Sequence, residues 1–397
     1  MKLSSKIQEI SPSATLSITA KAKQLKSQGI KVIAFAAGEP DFDTPEFIKQ
    51  KAKEALDKGL TKYTPTAGIP ELKQAICEKL KKENNLEYTP EEVLVSCGAK
   101  HSIFNAIMAL VDDGDEVLLP KPYWVSYPEM IKFARGKIIE IPTNERTNFK
   151  IKADQLKEYI TPKTKLLILN YPSNPTGMMY TKQELQEIAN VLVENQIYCI
   201  SDEIYEKLVY DGLEFVSIAS LNSEIKKLTI TVNGLSKCCS MTGWRVGYAC
   251  GPKEIIQAMG NLQDHSTSNI TTFVQYASVD AIKYAEESIK KMVEEFKKRR
   301  DYIVEEINKI PELSVIKPQG AFYVWVNISK LKGKKYNNQI ITDSMKLSEL
   351  LLTEARVSVI PGCVFGDDDY IRLSYAISLQ DIKEGLDNIK KFIETIR

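Results

Sequence analysis

The chain has 397 residues, 43% of them hydrophobic, and its 53 Lys and Arg against 52 Asp and Glu leave a formal charge of 53 − 52 = +1. Single cores seldom grow beyond roughly 250 to 300 residues, so two domains are expected, and the near balance argues against nucleic acid as the main partner, since its binders carry a marked basic excess. The seven cysteines are scattered, with no Cys-x-x-Cys pair and no disulfide-like framework, which points to a reducing cytoplasm, and no apolar stretch is long enough to span a bilayer.

Met1 to Lys6 lacks the apolar core of a signal peptide. From about Lys49 to Tyr284 strand-like and helix-like runs alternate, the pattern of a mostly parallel sheet between helix layers. The strand Val93 to Val95 leads through Ser96-Cys97-Gly98-Ala99-Lys100 into an amphipathic run, Ile103 to Leu110. A helix that starts at such a small-residue turn offers unpaired N–H groups and the positive end of its dipole, which suit a phosphate.

Leu166 to Leu169 reads as a buried strand running into Asn170-Tyr171-Pro172-Ser173-Asn174-Pro175-Thr176-Gly177, whose prolines and glycine enforce a fixed loop presenting Asn174. The next apolar run, Ile197 to Ile200, ends in Ser201-Asp202-Glu203-Ile204-Tyr205 and puts a carboxylate at a strand end. A buried Asp needs a cationic partner, and a protonated pyridine nitrogen would serve while keeping that ring an electron sink. Asn174 and Tyr205 could then hydrogen-bond a phenolic oxygen on the same ring.

The strand Leu228 to Val232 delivers Gly234-Leu235-Ser236-Lys237, with Arg245 a fixed distance onward. A deprotonated lysine condenses with an aldehyde as a Schiff base, and an arginine clamps phosphate. Pyridoxal phosphate carries both groups. Taken one at a time, these features read equally as a solvated loop lysine, a surface cation, a strand-end aspartate and a common glycine turn. Their succession is what points to one site.

After Glu286 comes a long charged amphipathic helix, then strands at Leu313 to Ile316, Phe322 to Ile328, Val357 to Ile360 and Tyr370 to Leu373, with helices between and after. Residues 45–286 are expected to form a large cofactor-binding domain, and 1–44 with 287–397 a smaller, discontinuous α+β domain. The Lys-rich runs Lys290-Lys291 and Lys297 to Arg300 read as the solvated face of the long helix, and Ser329 to Asn338 as a loop insertion. Gly243, Gly247 and Gly251 are four apart, wrong for a dinucleotide fingerprint and suited to close backbone packing. His101 and His265 are the only histidines; a histidine-rich metal site is not expected, and His101 reads as helix packing or a capping contact.

Together with Ser11-Pro12-Ser13-Ala14-Thr15, Ala37-Gly38-Glu39-Pro40-Asp41-Phe42, Lys62 to Gly68 and Arg372-Leu373-Ser374-Tyr375-Ala376, these segments give almost the whole chain a resemblance. It resembles the fold type I pyridoxal-phosphate enzymes of the class I aminotransferase family, closest to the bacterial-type aspartate aminotransferases. The resemblance implies that Lys237 is the Schiff-base lysine, Asp202 the pyridinium partner, and Asn174 and Tyr205 the ligands of the phenolic oxygen. It implies Arg245, Ser236, Gly98, Ala99 and Lys100 around the phosphate, with Tyr63 reaching it from the second subunit of a homodimer, and Trp124 stacked on the ring.

For the substrate it implies Arg372 on the α-carboxylate, the backbone of Gly38 beside it, and Lys100 as the second cation for a dicarboxylate; Ser13 and Thr15 read equally as a lid over the substrate and as part of a disordered or merely packed terminus. The implied reaction is ping-pong transamination between L-aspartate and 2-oxoglutarate. The alternatives are another donor or acceptor such as prephenate or aromatic ketoacids, and β-elimination, decarboxylation or ring closure on the same scaffold. A cofactor-sensing regulator would want a nucleic-acid-binding domain, for which there is no room before Ser11, and a nicotinamide dehydrogenase would want a Gly-x-Gly-x-x-Gly motif, which is absent.

Overall fold

A computed structural model describes residues 3–11 and 14–397. Two sheets organise it. The larger has seven strands, β1 (Val93–Ser96), β2 (Glu116–Pro120), β3 (Lys137–Ile141), β4 (Thr164–Asn170), β5 (Tyr198–Asp202), β6 (Thr229–Gly234) and β7 (Gly247–Cys250), in the spatial order β1-β7-β6-β5-β4-β2-β3. Only β7 runs against the rest, pairing antiparallel with both β1 and β6. The interiors of β4, β5 and β6 are buried, Leu166, Leu167, Ile168, Cys199, Ile200, Ile230 and Val232 among them, as expected where helices cover both faces of a parallel sheet.

The chain passes from β2 to the edge strand β3 and then returns to the other side of β2 as β4, continuing through β5 to β6. The connections therefore change direction at the β2–β4 boundary. Crevices outside the carboxyl ends of the strands at such a reversal are where α/β proteins bind ligands.

The smaller sheet is antiparallel, β10-β11-β9-β8, built from β8 (Ser314–Val315), β9 (Tyr323–Asn327), β10 (Ile360–Pro361) and β11 (Tyr370–Ser374). The run read from sequence as one strand, Val357 to Ile360, is divided. Val357–Ser358 pairs in parallel with Ile33–Ala34, which ties the N-terminal segment down, and only Ile360–Pro361 joins the sheet. The expected loop at Ser329 to Asn338 holds a short 3-10 turn, then a hairpin pairing Lys335–Tyr336 with Gln339–Ile340. Asn337 and Asn338 adopt φ of 44° and 66°, the left-handed pair that a two-residue hairpin turn requires and that asparagine tolerates.

The helix Glu286–Ile307 turns Met292, Phe296, Ile303 and Ile307 inward, at helical spacing. Lys290 and Lys291 face water, paired with Glu286 and Glu287. The expectation that the basic run to Arg300 is solvated fails at its end. Arg299 is buried against Asp41 at 2.7 Å, and Arg300 is 0% exposed between Asp211 and Asp301. Guanidinium forks can be buried where carboxylates meet them, and here those carboxylates come from elsewhere in the chain or from the next residue.

Close packing also separates the three glycines. A Cβ on Gly247 would lie 2.1 Å from the Ala99 nitrogen and one on Gly251 would lie 3.1 Å from the Thr229 oxygen, whereas Gly243 has open space around it and no packing constraint. No helix of the described residues is long and apolar enough to cross a membrane.

Candidate active site

A cavity of about 610 Å³ opens between the strand ends of the larger sheet and the face of the smaller one. Of the residues expected at the site, Gly38, Ala99, Lys100, Trp124, Asn174, Asp202, Tyr205, Ser236, Lys237, Arg245 and Arg372 all line it. Gly98 sits directly beneath Arg245. Tyr63 does not line it and is 91% exposed. Ser13 lies outside the described residues, as does the side chain of Thr15.

Lys237 occupies the turn that joins β6 to the antiparallel β7, so a connection within the sheet projects it into the cavity. Its Nζ donates to the Gly38 carbonyl at 2.6 Å. Burial, with Arg372 and Arg245 adding like charge, pushes its ammonium down to about 8, against the opposing pull of Glu39 and Asp202. A lysine held there has an appreciable neutral fraction near pH 7 and is a usable nucleophile and base.

Asp202 ends β5 and is 4% exposed. Burial raises its carboxyl to about 6, opposed by the Tyr127 hydroxyl, which donates to Oδ2 at 2.6 Å, and by the Ile204 N–H. The elevation shows that the protein groups around it under-compensate its charge, so a cationic N–H in the cavity would be stabilised there.

The helix Ala99–Leu110 begins at Gly98, whose φ is 87°. A Cβ at Gly98 would lie 2.4 Å from Arg245 Nη2. Glycine is thus demanded twice, by backbone conformation and by the guanidinium stacked against it. Arg245, itself at φ 60°, donates to the Thr242 and Cys97 carbonyls at 2.8 and 3.2 Å. Guanidinium and helix N-terminus together form a cradle for a dianion. His101 caps from inside the helix, accepting from the Cys97 N–H at 3.3 Å.

The opposite wall comes from the smaller sheet. Arg372 lies mid-strand in β11, opposite Trp325, and donates to Asn174 Oδ1 at 3.0 Å and to the Ala36 carbonyl at 3.1 Å, while its buried Nε has no partner. Its guanidinium stacks 4.3 Å from the Tyr323 ring centroid. Lys100 Nζ sits 4.9 Å from the Trp124 ring, and burial with Arg245 nearby lowers its pKa.

Two residues of this site were missed by the sequence reading. Tyr323 lines the cavity and shares a 2.8 Å hydrogen bond with Tyr205, hydroxyl to hydroxyl. Tyr127 anchors Asp202 and packs edge-on against Trp124 at 5.3 Å. The three-residue spacing of Trp124 and Tyr127 was the available signal, because it places both rings on one side of a helical turn.

The fold is an α/β one in which a lysine, a buried aspartate and a dianion cradle converge at strand ends beside a sheet reversal. The profile described as "Aminotransferase class I and II" matches residues 30–389. Aspartate aminotransferase of Bacillus sp. (strain YM-2) is 48% identical, with 99% of both chains covered, and the probable aspartate/prephenate aminotransferase of Aquifex aeolicus (strain VF5) is also 48% identical over 99% of both. The crystal structure of the aspartate aminotransferase from Rhizobium meliloti superposes with a TM-score of 0.96 at 41% identity, covering 100% of both chains. The chain belongs to the class I and II aminotransferase family, and it is an aminotransferase.

Proposed function

We propose that this enzyme uses pyridoxal 5'-phosphate to exchange the amino group between L-aspartate and 2-oxoglutarate by a ping-pong mechanism, as a cytoplasmic homodimer. The observation that carries this is the convergence of Lys237, Asp202, Arg245 and Arg372 on one cavity. The residues fit the cofactor's chemistry. Gly98, Ala99, Ser236 and Arg245 suit its phosphate, the under-compensated Asp202 suits its ring N–H, and the depressed lysine suits its aldehyde.

When bound, pyridoxal phosphate supplies an aldehyde to carry the amino group and a ring to take up the electron pair of the substrate's α-carbon. Lys237 Nζ, neutral in part near pH 7, would take up the substrate's α-proton and hold it for return. Asp202, held in place by Tyr127, would keep the ring nitrogen protonated, and Asn174 and Tyr205 would hydrogen-bond the phenolic oxygen. Trp124 would cover the ring. Arg372, on the cavity wall with Gly38 beside it, would receive the α-carboxylate through its guanidinium. Lys100 meets the second carboxylate of aspartate or glutamate. We assign residues 45–286 to the large domain and 1–44 with 287–397 to the small one, supported by the separate sheets.

Tyr63, almost fully exposed and away from its own cavity, is assigned to the phosphate of the partner's site. A fully active monomer on gel filtration would remove that assignment. The deciding experiment is the visible spectrum of the cofactor-reconstituted enzyme before and after L-aspartate without a ketoacid. Expected is a visible band that aspartate bleaches, with one equivalent of oxaloacetate released per cofactor. A band that aspartate leaves unchanged overturns the dicarboxylate assignment, and no band overturns the cofactor. The 48% identity to a probable aspartate/prephenate aminotransferase favours prephenate as a second acceptor, checked by regenerating the band with it.

A further inference from the structure

A second cavity, of about 760 Å³, lies behind the site and is lined in part by Lys79, Glu206, Lys207, Asn233, Cys238 and Cys239. The two cavities meet the same turn from opposite sides: Ser236 and Lys237 line the first, Leu235, Cys238 and Cys239 the second. No step of transamination uses the thiols. Asn233, 2% exposed at the cavity wall, has a buried amide nitrogen with no hydrogen-bond partner, so the packing behind the turn is left polar and incompletely satisfied.

Cys238 differs from the other cysteines. Its thiol donates to the Gly234 carbonyl oxygen at 3.6 Å, and its Sγ lies 3.7 Å from Cys239 Sγ. The hydrogen bond shared with Cys239 holds Cys238 below its usual value against burial and Glu206, with Lys79 and Lys207 helping. Cys239 is correspondingly held protonated. Cys77, Cys199 and Cys250 are buried, and burial raises each of their thiols. Cys363 is exposed, yet burial of its sulfur raises it as well. Since the thiolate is the nucleophile, exposure alone does not set the order of reactivity.

We propose that Cys238 is a modification site: a thiol that exchanges with small disulfides admitted by the rear cavity, forming an adduct that shifts the Lys237 turn and suppresses activity. In the exchange the Cys238 thiolate attacks one sulfur of R–S–S–R. A new S–S bond forms, the old one breaks, and RS⁻ leaves and takes up the proton that Cys238 released. A free thiol reverses the step. The turn transmits the change because it is braced by the Cys239 N–H to Leu235 carbonyl bond and the Met241 N–H to Ser236 carbonyl bond, both 3.2 Å. Residues 237 and 238 are consecutive within that frame.

The test is competitive labelling of the holoenzyme at pH 7 with limiting iodoacetamide, read by peptide mass mapping. Cys238 is expected to react about tenfold faster than Cys363, and Cys239→Ala to slow Cys238 several-fold while leaving Cys363 unchanged. Hydroxyethyl disulfide is then expected to lower activity at least about fivefold, with dithiothreitol restoring it and Cys238→Ser keeping basal activity but resisting the loss. Faster labelling of Cys363, or a Cys238 adduct with undiminished activity, overturns the proposal. The labelling result is independent of the aminotransferase assignment, and wild-type labelling decides the first point even if a variant misfolds.

Discussion

The two walls of the active site are built by different means. The wall from the larger sheet uses strand ends: Asp202 closes β5, Lys237 sits in the turn after β6, and Gly98 follows β1. At strand ends the backbone leaves its ladder, so N–H groups, glycine conformations and short loops become available for binding a phosphate and ring. The wall from the smaller sheet uses a strand interior. Arg372 is flanked by pairing on both sides, to Trp325 and Ile360, so the backbone there is committed and only the side chain can act. One wall is a set of cooperating loops, the other a single guanidinium held rigid by Asn174, the Ala36 carbonyl and the Tyr323 ring.

That difference can be broken one wall at a time. Lys237→Ala should have the largest effect, reducing kcat on the order of 10⁴-fold by removing base and nucleophile together, while phosphate binding persists; appreciable steady-state transamination by this variant would remove Lys237 from its role. Arg372→Lys acts on the other wall. It should lower kcat/KM for L-aspartate about 100-fold because a point charge cannot replace the fork, and the visible band of the bound cofactor should be unaltered. A lost band would mean that the walls are not separable.

Lys100→Gln is expected to be milder and selective, lowering kcat/KM for L-aspartate about tenfold relative to L-alanine, the cost of one partly solvated charge contact. Equal losses for both amino acids would move Lys100 from substrate to phosphate.

The smallest effect is on stability and has a defined sign. Asp202 is pushed up to about 6 in the folded chain from its ordinary 3.8, so between those values the folded state holds more protons than the unfolded one. Stability of the cofactor-free protein should therefore fall as pH rises from about 4 to about 6 and remain reduced above that. Asp202→Asn should flatten this slope and stabilise the cofactor-free protein at pH 7 by about 1 to 3 kcal/mol, read by denaturant titration across pH. A destabilised variant there would show that the carboxylate is better compensated than its burial implies.

The legible parts of the sequence were those where chemistry and backbone geometry coincide within a few residues. Gly98 before a helix, Asn174 between prolines and Lys237 after a β-branched run each combine a strand, a turn signal and a functional group. The Leu166, Ile197 and Leu228 runs became β4, β5 and β6 because uninterrupted apolar stretches suit strands covered on both faces. Tyr323 escaped because nothing local marks a tyrosine in an apolar strand as anything but core, and Tyr127 because its one local signal, the three-residue spacing from Trp124, does not say what the hydroxyl meets. Arg300 was misread for the converse reason: its partner Asp211 is distant in sequence, and a basic run at helical spacing carries no sign that two members of it turn inward.

What the sequence by itself determined was the alternation of strands and helices, the turns at strand ends and the residue types placed on them, since these follow from local conformational preference and short-range pattern. Only the tertiary structure decided which of those residues meet. It brought Arg372 and Asn174, far apart in the chain, to 3.0 Å, set Tyr127 on Asp202, and placed Cys238 and Lys237 back to back on one turn between two cavities. The physical reason is that a shifted pKa or a shared hydrogen bond depends on burial and distance across elements, and neither quantity exists until the sheets have packed.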